Sequence, residues 1–129
     1  MALKLFLHGV PDTPSMWGPV INELNLSPEL CQAPAMPGFV DPAPDGFSST
    51  KQAYVAWYIS EVEKAFEADG PVDPIGHDWG AILTIRAACL PPELLRPWCL
   101  ANALPLPDYT WHSTAHLWQT PPMGELLLA

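Results

Sequence analysis

Basic residues are what this chain has least to spare: five Lys and Arg stand against 14 Asp and Glu in 129 residues, a net charge of −9. Nucleic-acid binding needs Lys and Arg clustered against phosphates, so that class of partner is excluded, and an anionic membrane surface is excluded with it. No apolar run approaches the ~18 residues that cross a bilayer. The stretch from Met1 to Leu7 is interrupted by His8-Gly9 too soon to be a signal peptide. Cysteine is scarce: Cys31, Cys89 and Cys99 are odd in number, widely spaced and set among apolar neighbours. They read as reduced core thiols, with the cytoplasm as the default compartment. The four histidines and three cysteines show no metal-ligand spacing, and no glycine-rich loop is built to cradle phosphate, so no metal site is expected. Internal repeats and low-complexity blocks are absent as well.

What is present suits one buried core: 49% of the residues are hydrophobic, and 17 prolines recur along the whole chain. Leu3 to Leu7 has the pattern of a buried strand meeting a turn. Pro14 to Leu26 reads as a helix with Met16, Trp17, Val20, Ile21 and Leu24 on one face. Pro28 to Pro44 is loop-like, with a brief strand near Glu29 to Ala33. Thr50 can cap a helix running to Asp69, striped by Val55, Ile59, Val62 and Phe66 and stopped by Gly70-Pro71. Val72 to Ile75 reads as a strand, although Pro74 cannot donate to a ladder. After the Gly76 to Gly80 turn come an apolar helix from Ala81 to Leu90, a short buried strand from Pro97 to Ala103, and a helical stretch from Trp111 to Gln119. Alternation of strand and helix predicts a parallel sheet with helices on its faces.

The turn Gly76-His77-Asp78-Trp79-Gly80 carries the chemistry. A reactive side chain between a strand and a helix N-terminus sits on a strained backbone, and small residues two positions to either side let the two elements approach. Gly76 and Gly80 supply both. The central residue here is Asp78. A carboxylate is ionised near neutral pH and needs no general base to become a nucleophile, and the helix N-terminus favours that charged form. An Asp at this position also fits a helix N-cap, and the pentapeptide by itself leaves the two roles open. His8-Gly9-Val10-Pro11 follows the first strand, where Gly9 permits close backbone approach and Pro11 suits a cis peptide in a rigid turn. His8 itself reads as a structural hydrogen-bonder rather than a base.

Taken together, His8-Gly9-Val10-Pro11-Asp12-Thr13-Pro14-Ser15-Met16-Trp17 and Gly76-His77-Asp78-Trp79-Gly80 resemble the α/β-hydrolase superfamily. Within it they are similar to the branch of epoxide hydrolases and haloalkane dehalogenases. Pro37-Gly38-Phe39 and Pro44-Asp45-Gly46-Phe47 resemble the loop after that family's next strand. The resemblance implies an α/β-hydrolase fold, incomplete here: the central part of a mostly parallel sheet with flanking helices (1–107) and the start of a cap (108–129).

By the same resemblance, Asp78 is the catalytic nucleophile that forms an ester with a substrate carbon. The backbone N–H groups of Val10 and Trp79 form the oxyanion hole, and His8, Gly9, Pro11, Gly76, His77 and Gly80 are its supporting motif. No cofactor is implied, and the substrate is a small apolar or amphipathic molecule. Dehalogenases of this branch usually place an Asn where Val10 stands, which favours epoxide hydrolase-like chemistry over haloalkane dehalogenation. Haloacid dehalogenases usually have Arg where Trp79 stands. Tyr109, Trp111, His112, His116 and Trp118 are candidates to line the pocket, with ordinary packing as the competing and preferred reading. The catalytic His and acid have no confident candidate: His112 and His116 fall too early, Asn102 stands where some relatives have the acid, and Asp108 is a weak substitute. The reading of a different class is a non-catalytic fragment or remnant. In either case unpaired sheet edges invite self-association or a complementing chain.

Overall fold

In the computed structural model, which describes residues 2–103, 108–110, 112–123 and 126, the apolar run after Leu3 forms strand β1 (Lys4–Leu7). Leu5, Phe6 and Leu7 are all buried, as expected of a strand covered on both faces of a parallel sheet. Strands β2 (Cys31–Gln32), β3 (Asp73–His77) and β4 (Cys99–Ala101) join it. The order is β2-β1-β3-β4, and every pairing is parallel. Each strand of the β1–β3 pair ends at a loop on the same sheet edge, so the His8 loop and the Asp78 turn are neighbours in space.

Pro74 lies inside β3, a central strand, and the hydrogen bonds show why it is tolerated. The Asp73 amide donates to Leu3 O on the β1 side, whereas Val72 exchanges bonds with Leu94 and Arg96 on the other. Alternation puts the donor that Pro74 lacks on the β4 side. The ladder there begins only at Ile75 opposite Cys99.

Helix α1 is shorter than the periodicity predicts. Pro14–Trp17 form a 3-10 turn and α1 spans Gly18–Glu23. Pro19 has no amide with which to carry an α-helix through from the preceding turn, and Asn25 at φ 48° ends it. The expected apolar stripe is therefore not a core face: Trp17 is buried, but Val20 and Leu24 are 41% and 60% exposed.

Helix α2 (Lys51–Asp69) starts where Thr50 accepts from the Ala53 amide and stops at Gly70, φ 78°. Its deepest residues are Tyr58, Val62 and Ala65, with Val55, Ile59 and Phe66 only partly buried. The core stripe is thus rotated by about one residue from the expected one. Helix α3 (Trp79–Cys89) packs on β3 and α2, and α4 (Ser113–Trp118) follows the sheet. The cysteines are free, but they are not core thiols: Cys31 is half-buried, and Cys89 and Cys99 are exposed. Cys89 closes α3 and Cys99 opens an edge strand, both places where solvent reaches.

The boundary expected at residue 107 lies outside the described residues. No helix among those described is long and apolar enough to cross a membrane.

Candidate active site

Asp78 stands at the junction of β3 and α3 with φ 52° and ψ −119°, a conformation that costs a non-glycine residue of order 1–3 kcal/mol and that the surroundings must enforce. They do so from both sides. The Asp78 amide donates to Ala101 O, and Asp78 O accepts from the amides of Ala81 and Ile82. A Cβ on Gly76 would lie 2.6 Å from the Gly80 carbonyl oxygen and the Ala81 Cα, and one on Gly80 would lie 2.3 Å from Leu7 O. Strand and helix meet this closely because both residues lack side chains.

The carboxylate has turned away from the helix it begins. It accepts no capping bond from the first turn of α3; instead Oδ2 accepts the Val10 amide at 2.9 Å. Gly9 makes that contact possible, since a Cβ there would sit 2.5 Å from the Asp78 Cβ and 2.7 Å from Oδ2. The Val10-Pro11 peptide is cis. Trp79, the first residue of α3, contributes one of the backbone N–H groups a helix leaves unpaired in its first turn.

His8 holds the loop rather than facing the cavity. It is fully buried, its Nδ1 lies 2.8 Å from Gly9 O, and Nε2 accepts from the Met36 amide at 3.0 Å. That pattern is the neutral tautomer with hydrogen on Nδ1, and burial pushes the imidazole below its ordinary range. Its ring meets Phe39 edge-on at 5.3 Å, so the loop after β1 is fixed to the segment after β2. His77 packs beside the same loop, with Nδ1 3.9 Å from the Asp12 carboxylate.

A cavity of about 700 Å³ opens at this edge, lined by Asp78, Val10 and Trp79 and walled by Phe39, Ile82 and Trp118. Tyr109 and His112 also line it, whereas His116 does not; Trp111 lies outside the described residues. His112 uses Nδ1 to accept the Ala115 amide and cap α4, and Asp108 is exposed on a turn. Asn102, named from sequence only as standing where some relatives have the acid, also lines the cavity, as do Lys51 and Ile82, which were not singled out from sequence. Ile82 could have been found as one helical turn beyond Asp78. Asn102, at φ 56°, carries only the weak signal of an Asn following a strand. No group of three or more His, Cys, Asp or Glu side chains among the described residues could hold a metal ion.

A parallel sheet that presents a strained acidic turn beneath a backbone donor and a mainly apolar cavity is a hydrolase scaffold. The chain belongs to the alpha/beta hydrolase family, whose model matches residues 5–128. Among solved structures it is similar to a loop variant of the haloalkane dehalogenase DbeA from Bradyrhizobium elkanii, with 20% identity, a TM-score of 0.79, and 98% of this chain and 46% of that one covered. The epoxide hydrolase VrEH1 from Vigna radiata is 26% identical with a TM-score of 0.75, over 99% of this chain and 46% of that one. Epoxide hydrolase A from Mycobacterium thermoresistibile is 21% identical with a TM-score of 0.72, over 98% and 44%. The chain thus spans less than half the length of these structures. No curated protein matches it.

Proposed function

We propose that this chain carries the nucleophile of an epoxide hydrolase-like enzyme, and that Asp78 opens an epoxide by attacking one of its carbons. The observation that carries this reading is the orientation of Asp78. Its carboxylate is held by the Val10 amide across 68 residues of chain and does not cap α3. A capping role gives no reason for that geometry.

The free carboxylate oxygen forms a C–O bond to the epoxide carbon while the ring C–O bond breaks, leaving an alkyl ester and an alkoxide. We assign protonation of the alkoxide to Tyr109, the phenol among the cavity-lining residues besides Tyr54. Water then adds to the ester carbonyl, and the oxyanion that forms takes the Val10 and Trp79 amides as donors. The mainly apolar walls suit a small apolar or amphipathic substrate. Val10, where related dehalogenases usually carry an Asn, favours an epoxide over a haloalkane, and the 26% identity to a Vigna radiata epoxide hydrolase points the same way.

Because no residue of the chain is assigned as the water-activating base, the ester should accumulate. Intact-mass measurement after exposure to styrene oxide is expected to show one stable adduct, lost in Asp78→Asn. A folded chain, confirmed by circular dichroism, that stays unmodified would overturn the proposal in favour of a non-catalytic role. A 1-bromoalkane in place of styrene oxide tests the dehalogenase alternative; faster labelling by the bromide would reverse the preference.

A further inference from the structure

Lysine and arginine are scarce in this chain, five in all, and their positions are uneven. Lys4 and Arg96 both face Asp73, and Lys64 pairs with Glu61 within α2. Arg86 is exposed on α3 and lies outside the cavity lining. Lys51, the first residue of α2, is the only Lys or Arg among the described residues that line the cavity. It makes no ion pair or hydrogen bond with another described residue. Lys51 is exposed, so solvent satisfies its ammonium while the cavity is open.

The residues beside it sort into committed and uncommitted groups. The Ser48 and Thr50 hydroxyls meet at 3.1 Å, and Thr50 also accepts from the Ala53 amide. Ser49 lines the cavity instead, and its hydroxyl has no bond with another described residue. Tyr54, about one turn further along α2, also lines the cavity, but its hydroxyl donates to Pro37 O at 2.9 Å. The start of α2 thus offers the cavity one ammonium and one hydroxyl without protein partners. At the elbow, Asp78 is oriented by the Val10 amide. Met36, Phe39 and Trp79 are apolar parts of the same lining. A cavity with two separate polar points on apolar walls matches a ligand with an apolar body and a polar group at each end.

We propose that Lys51 is a specificity-determining residue: with Ser49 it holds a carboxylate at the far end of the electrophile that Asp78 attacks. One ammonium and one hydroxyl suit a monoanion, whereas a phosphate calls for more donors, commonly an arginine fork. The remaining electrostatics work against any acid, because Asp78 and the net charge of −9 both repel one. A cavity in which Lys51 were merely a solvated surface residue would therefore favour a neutral ligand over its carboxylate counterpart. Preference for the acid is the opposite outcome, and only Lys51 among the Lys and Arg residues described is placed to produce it. The substrate side of this inference rests on the reading of Asp78 as nucleophile; the recognition of a carboxylate does not.

The first test needs no chemistry. Phenylvalerate and its neutral amide, phenylvaleramide, are titrated against the indole ¹H–¹⁵N resonance of Trp79 at neutral pH. The acid is expected to bind roughly three- to five-fold tighter at low salt, the size of a partly exposed ion pair, with the gap narrowing as salt is raised. The preference should vanish in Lys51→Gln and reverse in Lys51→Glu, with folding of both variants confirmed by circular dichroism. An amide bound as tightly as the acid in the wild type, or an acid preference that survives Lys51→Gln, would overturn the proposal. The second test compares labelling of Asp78 by two terminal epoxy acids, epoxyhexanoate and epoxyundecanoate, each against its methyl ester, by intact mass. For at least one chain length the acid should label faster than the ester, and Lys51→Gln should abolish that ratio. Esters that label faster at both lengths would overturn Lys51 as a determinant of the substrate. Absence of labelling by every epoxide, styrene oxide included, would overturn the nucleophile reading instead, with the acid and amide titration still deciding Lys51.

Discussion

Gly9 and Gly80 both lack a side chain for reasons of space, but the atoms that would be struck differ, and so do the expected consequences of adding a methyl group. At Gly80 the obstacle is main chain: a Cβ would lie 2.3 Å from Leu7 O and 2.5 Å from His8 O. Neither can yield without moving β1 against α3, so Gly80→Ala should lower unfolding free energy by about 2–3 kcal/mol, read from the urea midpoint. At Gly9 the obstacle is the Asp78 side chain, with Cβ at 2.5 Å and Oδ2 at 2.7 Å. The Oδ2 can swing aside, but the Cβ moves only with the backbone, so the loop after β1 must shift away from the elbow. Gly9→Ala should therefore cost less stability than Gly80→Ala yet break the Val10 to Asp78 bond, cutting the rate of styrene oxide labelling by about ten-fold or more, in line with the loss of one oriented hydrogen bond to a charged group. Labelling at the wild-type rate would show that the close approach at Gly9 does not orient Asp78. Both glycines were legible in the sequence because their need is local: strand, turn and helix fix which atoms crowd together. The partner of Asp78 was less so, since capping and catalysis use the same residue and differ only in where the carboxylate turns.

Between α2 and α3 the contact that matters is Tyr58, which the apolar spacing of α2 did not single out. Val55, Ile59, Val62 and Phe66 set an apolar period, but a tyrosine one residue away enters the core because Thr84 on α3 meets its hydroxyl at 3.2 Å. Thr84 in turn donates to Gly80 O at 2.9 Å. Helix pattern shows which stripe is apolar; it does not show which polar tip will find a partner across an interface. The α1 stripe failed for a related reason: periodicity survives on paper where Gly18-Pro19 divides the real helix. By contrast α2 was readable end to end, and β1 and α3 to within two residues, because Thr50, Gly70 and the Gly76–Gly80 turn mark limits chemically.

Burial pushes the Tyr58 phenol up to about 12 from its ordinary 10. The folded chain keeps that proton longer than the unfolded chain, so unfolding is increasingly favoured as pH rises from about 10 to about 12, by up to ~2.7 kcal/mol at 1.36 kcal/mol per pH unit. Below pH 10 this contribution is fully present. Tyr58→Phe should flatten that alkaline decline in the urea midpoint and, near neutral pH, cost about 1 kcal/mol for the lost hydroxyl contact, since Thr84 retains Gly80.

At the scale of the whole molecule, the cavity gathers segments that are remote in sequence, from Phe39 and Lys51 through Asp78 to Asn102 and Trp118. That is why the elbow was legible and its walls were legible only in part, through Tyr109, His112 and Trp118: the elbow is a local motif, whereas the walls depend on how loops from several strands fall at one edge of the sheet. The other large-scale feature is the opposite side of β4. Ala101 O accepts from the Asp78 amide, so alternation along the strand directs the Leu100 N–H and C=O away from β3. Among the described residues β4 has a partner on one side only, with Trp98 51% exposed beside it. An open strand edge with an adjacent apolar side chain favours strand addition. The net charge of −9 opposes it by repulsion between like-charged copies, which salt screens. Association of this chain should therefore strengthen from low to physiological ionic strength, the reverse of a contact held by ion pairs. Sedimentation velocity at the two salt concentrations measures it. Leu100→Pro removes the outward donor while leaving the amides of Cys99 and Ala101 to face β3, and should hold the chain monomeric at both. A salt-independent monomer in the wild type, or association that survives Leu100→Pro, would show that this edge is not where copies meet.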